Sequence, residues 1–148
     1  VYKRQGKNSE IRIGSFIDVC SRIYIGNNVT VRPGSFIYAD PREGGGKIII
    51  EDKVLLGPQI SIFTNDHKFD DNSIPIFDQG YTPLTVDDTV IIKEGSWIGA
   101  SVTILRGVTI GKNSVVAANS VVNKNVPDNT LVGGCPAKVI RNLLDPNN

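Results

Sequence analysis

An aliphatic residue returns at every sixth position along most of this chain. Ile13, Val19, Ile25, Val31 and Ile37 form one series. Ile50, Leu56 and Ile62 form a second, and Val86, Ile92, Ile98, Ile104, Ile110, Val116 and Val122 a third. The fifth position of each hexad is small or β-branched, as at Val29, Ser35, Val54, Ser96, Val102, Ser114 and Ser120. Glycine often stands second, at Gly14, Gly26, Gly57, Gly99 and Gly111. Six is not a multiple of the helical 3.6, so the pattern does not describe a helix. Glycine and asparagine return too regularly for a plain alternating strand. A flat-sided coil satisfies both facts: each hexad gives one short strand and one bend, and position one fills the interior. Three hexads close a turn, and turns stack about 4.8 Å apart by parallel pairing. The expected class is all-β. The apolar column is continuous only if each coil covers its neighbour, so the repeat must run on.

Composition agrees and excludes several functions. Helix formers are scarce, and β-branched and turn residues dominate. The 148 residues suit one compact domain. Lys and Arg number 16 against 15 Asp and Glu, which gives no footprint for nucleic acid and no polybasic membrane patch. No apolar run is long enough to span a bilayer, and no signal peptide is evident, so a cytoplasmic protein is expected. Cys20 and Cys135 are too few for a disulfide framework and read as buried thiols. The sequence has no Met. Its first five residues, VYKRQ, fit none of the pattern and resemble the translated end of a transposase recognition sequence. Residues 1–5 are therefore expected to be a non-native leader, and residues 6–148 an N-terminally truncated single domain.

Two breaks interrupt the period. The first, DPREGGGK from Asp40 to Lys47, delays the next hexad by seven residues and reads as a flexible surface bulge. The second separates Ile62 from Val86 and extrudes about eighteen residues, Lys68 to Thr85. Loops this long in a compact repeat are more often functional than idle. Ile74, Ile76, Phe77 and Tyr81, stiffened by Pro75 and Pro83, need something to pack on. That is either the loop's own coil or a second copy of the chain. After Val126 the period ends. PAKVIRNLL carries Val139, Ile140, Leu143 and Leu144 at helical spacing after a proline, which predicts a short C-terminal helix capping the stack.

His67, the only histidine, stands just before the second break. With one imidazole and the carboxylates Asp66, Asp70 and Asp71, the segment is a poor metal site, since transition metals gather three or four ligands. No metal is expected, and one histidine cannot build a three-histidine zinc site of the kind γ-class carbonic anhydrases use. A lone imidazole with a reference pKa of about 6.5 suits a general base. It would need its far nitrogen held by a backbone carbonyl or a carboxylate such as Asp66 or Asp70. A surface histidine in a loop is the plain alternative.

From about Ile11 to Leu144 the sequence resembles the hexapeptide-repeat acyltransferases, and the segment VLLGPQISIFTNDHKFD resembles the one that carries their catalytic histidine. The resemblance implies a left-handed parallel β-helix, against the usual hand of parallel crossovers. It also implies a homotrimer with sites between subunits, acetyl-CoA as co-substrate, and His67 as base in direct transfer to a hydroxyl. IPIFDQG resembles the polysaccharide branch, so the implied acceptor is a sugar or glycan precursor. An N-acetyltransferase on an amino sugar and a non-catalytic β-helix module are the alternatives. GSWIGASVTILRGVTIGKNSVVAANSVVNKNVP resembles the half that binds acetyl-CoA. There Gly99, Ala100, Ala117 and Ala118 would let the pantetheine arm approach the backbone. Trp97 would wall the thioester or simply pack, and a backbone amide near Ala100 would stabilise the oxyanion. Asn123, Lys124, Lys138 and Arg141 fall where the family contacts the CoA phosphates, although surface cations are commonly just solvated. Cys135 in GGCPAK is read as structural. Tyr38, Asp40, Gln59 and Asn65 are the candidates for acceptor contacts.

Overall fold

The computed structural model describes residues 4–145, with Val86 described in its backbone only. Residues 1–3 of the expected leader lie outside the described residues. Gln5 forms a parallel bridge to Ile25, and Arg4 Nη1 donates to the Ser21 carbonyl at 2.7 Å.

The chain winds as a three-sided parallel β-helix. Its sheets have seven, five and four strands, and each strand pairs with the strand one coil away. One inner column per sheet results. Ile11, Val31, Leu56, Ile98, Val116 and Val132 align in the seven-stranded sheet. Ile17, Ile37, Ile62, Ile104 and Val122 align in the five-stranded sheet. Ile25, Ile50, Ile92 and Ile110 align in the four-stranded sheet. From Val31 onward these side chains are almost wholly buried. Each contributes about 1.5–3 kcal/mol of apolar transfer, so the columns are the main source of stability.

The corners explain the rest of the hexad. A sharp bend between flat sides needs a left-handed residue, and Asn28, Asn113, Asn119 and Asn129 have positive φ there. The small fifth position sits inside the bend. Where it is serine, the buried hydroxyl is satisfied: Ser96 Oγ donates to the Gly111 carbonyl at 2.7 Å and Ser114 Oγ to the Pro127 carbonyl at 2.7 Å.

Four expectations are corrected. Ile13 is 92% exposed, because Ile11 and Ile17 are the residues that stack on Val31 and Ile37. The phase shifts by two residues at a 3-10 turn, Cys20–Arg22, entered through the left-handed Val19. Val86 opens a second 3-10 turn, Val86–Asp88, and the coil resumes only at the strand Val90–Ile92. The extruded segment is therefore longer than expected. The expected C-terminal helix is a strand: Ala137–Asn142 pairs antiparallel with Thr130–Gly134 after a tight turn at Cys135 and Pro136. Val139 and Ile140 are β-branched and favour this extended form, which extends the seven-stranded sheet at its last edge. Finally, neither cysteine is buried: Cys20 is half-buried and Cys135, at the hairpin turn, is exposed.

Candidate active site

The long loop is ordered by its own hydrogen bonds. Its neck is a short antiparallel ladder: His67 bridges Tyr81, the Lys68 N–H donates to the Gly80 carbonyl at 2.9 Å, and the Thr82 N–H donates to the Asp66 carbonyl at 3.0 Å. Its tip carries a short helix, Ile76–Gln79, and Gln79 Nε2 donates to the Asp71 carbonyl at 2.7 Å. Phe77 on that helix is 91% exposed.

Two arginines fix the loop to the coil. Arg106 follows the strand Thr103–Ile104. Its Nε–H donates to Asp66 at 2.7 Å and its Nη1 to Asp88 at 2.7 Å, so one guanidinium holds both feet of the loop. Arg42 comes from the first break. Its backbone N–H and Nε–H reach Asp40 Oδ1 at 2.9 and 3.0 Å, and Nη2 reaches Oδ2 at 2.6 Å. Its Nη1 donates to the Thr82 carbonyl at 2.9 Å. Asp40 is fully buried. Burial alone would raise its carboxyl pKa, but the hydrogen bonds and charge of Arg42 prevail and hold it below the usual carboxylate range. Two of the three glycines of this break are packed against the coil. Gly45 and Gly46 are buried, and a Cβ on Gly46 would stand 2.6 Å from the Asp88 carbonyl oxygen.

His67 opens onto a depression of about 270 Å³ lined by Phe36, Tyr38, Phe63, Asn65, Asp66 and Tyr81. Phe36 and Phe63 form an aromatic floor with ring centroids 5.8 Å apart. The Tyr38 phenol is pushed up by burial, with smaller contributions from Tyr81, Asp18 and Asp40. The imidazole is exposed, and neither of its nitrogens has a hydrogen-bond partner among the described residues. The expected orienting carboxylates are engaged elsewhere: Asp66 with Arg106, and Asp70 with the Phe69 N–H at 3.2 Å.

Of the acceptor candidates, the structure brings Tyr38 and Asn65 to His67 and leaves two apart. Asp40 is buried beneath Arg42, with its oxygens already taken. Gln59 sits at the preceding corner, where it accepts from Ser101 Oγ at 3.2 Å. The donor candidates fall into two groups. Asn123, Lys124 and Lys138 line a groove of about 400 Å³ with Pro136 and Ala137. Asn123 and Lys124 follow the strand Val121–Val122, which lies two coils, about 10 Å, from Ser61–Phe63, so they stand at the corner from which the His67 loop leaves. Trp97, Gly99, Ala100, Ala117 and Ala118 lie one side of the prism away, at the corner entering the five-stranded sheet. Trp97 is half-exposed, between Leu55 and Val115. Gly99 is small because the next coil demands it: a Cβ there would meet the Ala118 nitrogen at 2.6 Å. Arg141 is paired with Leu131 on the final hairpin. Sequence reading missed Arg42, Arg106 and Tyr81. Apart from the local Arg42–Asp40 pair, the contacts that bring them to the loop span 14 to 40 residues, and no local motif marks them.

Among the described residues no three His, Cys, Asp or Glu side chains converge as a metal site, and no helix is long and apolar enough to cross a membrane.

A triangular β-coil of hexads with one extruded loop defines the hexapeptide-repeat class of transferases. Residues 89–124 match the family described as bacterial transferase hexapeptide (six repeats). A hexapeptide-repeat-containing acetyltransferase of Vibrio cholerae O1 biovar eltor, solved with acetyl-coenzyme A, is 34% identical. That match covers 96% of this chain and 72% of the other, with a TM-score of 0.72. The galactoside O-acetyltransferase of Escherichia coli K12 is 31% identical over 140 residues, covering 95% of this chain and 64% of that enzyme. A Saccharomyces cerevisiae protein assigned to the acetyltransferases is 36% identical over 130 residues, covering 88% of this chain; the chain spans 61% of its length. The chain belongs to the hexapeptide-repeat acetyltransferase family, and its coil is the left-handed parallel β-helix of that family.

Proposed function

We propose that this chain is an acetyl-CoA-dependent O-acetyltransferase with His67 as general base and a hydroxyl of a sugar or glycan precursor as acceptor. The observation that carries the reading is the His67 depression: an exposed imidazole whose nitrogens are unengaged among the described residues, above an aromatic floor rimmed by Asn65 and Tyr38. Aromatic rings suit the apolar face of a pyranose, and the amide and phenol suit its hydroxyls. The family relationship, with an O-acetyltransferase among the relatives, supports the reaction class.

The steps follow from this chemistry. The acceptor hydroxyl gives its proton to His67 as its oxygen attacks the thioester carbonyl. The developing oxyanion takes a hydrogen bond from a backbone N–H, for which Ala100 is the candidate. The carbon–sulfur bond then breaks, and the CoA sulfur recovers the proton from the imidazolium. In one chain Ala100 and His67 stand at opposite ends of the five-stranded sheet. A homotrimer in which a second copy brings its Ala100 corner to this His67 completes the site. Lys124 and Lys138 in the nearby groove suit the CoA phosphates, and Pro136 and Ala137 its apolar arm.

The test is His67→Ala assayed with acetyl-CoA against a panel of sugars and amino sugars. Loss of transfer by about 10²–10⁴-fold, with CoA binding retained by calorimetry, is expected. Transfer within a few-fold of wild type overturns the base assignment. Transfer only to amines moves the enzyme to the N-acetyl class, and absence of CoA binding by the folded protein favours a structural module.

A further inference from the structure

The geometry points to Tyr81 as the positioning residue for His67, which acts by ring stacking where a hydrogen-bonding partner would be expected. The inference rests on the reading of His67 as the base. An imidazole base needs its ring plane fixed, since the torsion that turns the ring is broad and roughly two-fold. The usual device is a carboxylate or carbonyl on the second nitrogen. That device is missing among the described residues, since Asp66 binds Arg106, Asp70 binds the Phe69 N–H, and Asp71 binds Ser73. In its place the Tyr81 ring lies against the imidazole, with centroids 4.6 Å apart and planes inclined by 22°.

The neck of the loop produces this contact. His67 and Tyr81 are directly opposed in its antiparallel ladder, where cross-strand side chains meet. Tyr81 is itself held, since the Arg42 guanidinium lies 5.0 Å from its ring centroid while donating to the neighbouring Thr82 carbonyl at 2.9 Å. Arg42 is anchored on buried Asp40. The two breaks of the hexad pattern thus meet at one ring. A stack restrains the imidazole through its face and leaves both in-plane nitrogens free, one for the acceptor proton and one for solvent or a neighbouring molecule.

The single histidine of this 148-residue chain makes the test unambiguous, because every imidazole signal in its NMR spectrum is His67. In wild type the imidazole C–H protons are expected upfield of free histidine, from the ring current of Tyr81. Tyr81→Leu should abolish that shift, and Tyr81→Phe, which keeps the ring, should restore it. In turnover, Tyr81→Leu should lower kcat about ten- to a hundredfold with KM for acetyl-CoA unmoved, and Tyr81→Phe should recover most of that loss. An unshifted imidazole in wild type overturns the stack. Loss of the shift in Tyr81→Leu with full kcat overturns the positioning role. Phe as damaging as Leu assigns the effect to the phenol hydroxyl and also overturns it. If His67→Ala stays active while the shift behaves as expected, the base assignment fails and the stack stands.

Discussion

Asp40 is a charged residue with no exposed surface, and it is kept ionised by one neighbour. Burial opposes the charge, but Arg42 supplies three donor groups and a positive charge to the carboxylate, and the balance lowers its pKa. A carboxylate with a depressed folded-state pKa contributes stability that is complete above its unfolded value of about 3.9 and disappears as pH falls through the folded value. Asp40→Asn lacks this titration. The difference in urea midpoint between wild type and Asp40→Asn should be constant above about pH 5 and should narrow below about pH 4. Parallel midpoints down to pH 3 would show that Arg42 does not stabilise the ionised form. Asp40 also shows the limit of reading a contact from position alone. It lies beside Tyr38 at the acceptor end of the coil, as the sequence suggested, yet its oxygens serve the scaffold.

At the scale of elements, the loop stands as a unit because Arg106 ties Asp66 at its start to Asp88 at its end. Removing the guanidinium leaves Asp88 buried without its cation, a loss of about 1–3 kcal/mol. Arg106→Ala should therefore speed hydrogen exchange at the Lys68 and Thr82 amides of the neck while the strand Thr103–Ile104 stays protected. Equal protection in both would mean that the neck ladder is self-sufficient. The repeat itself was legible because every interior column repeats an aliphatic residue. Its two misread stretches have definite causes. Near the start, Ile11 and Ile13, and Ile17 and Val19, place aliphatics in both possible phases, so the insertion at Cys20–Arg22 left no mark. At the long loop, Ile62 and Ile92 are separated by a multiple of six, so Val86 falls in phase without belonging to a strand. The C-terminal strand was hidden because Val139, Ile140, Leu143 and Leu144 satisfy a helical spacing, while the pairing that decides their form is made by Thr130–Gly134. That His67, Tyr38 and Asn65 lie close together was legible because the period shows where the coil is interrupted. The groups that organise them come from distant corners that only the stacking brings together.

The whole molecule carries more exposed apolar surface than a solitary coil needs. Phe69, Ile74, Ile76 and Phe77 project from the loop, and Leu55 and Trp97 from the outer face of the seven-stranded sheet. Apolar surfaces of this kind suit an interface between copies of the chain. The proposed chemistry needs one as well, since the Ala100 corner and His67 are separated by a whole side of the prism. Both requirements are met by the homotrimer proposed above, with the loop of one copy laid against the coil of the next. The chain should then sediment at about three times its 16.0 kDa mass. Phe77, at 91% exposure, makes little contact within its own chain, so Phe77→Glu should leave the coil folded, with wild-type circular dichroism. Burying that carboxylate in an interface without a partner is unfavourable, so the variant should sediment as a monomer at micromolar concentration. Transfer activity should fall with assembly, although His67, Tyr81 and the groove beside Lys124 remain intact in every copy. A wild-type monomer that transfers acetyl groups would remove both the shared site and the reason for the exposed loop. A monomeric Phe77→Glu variant with full activity would keep the trimer and confine the chemistry to one chain.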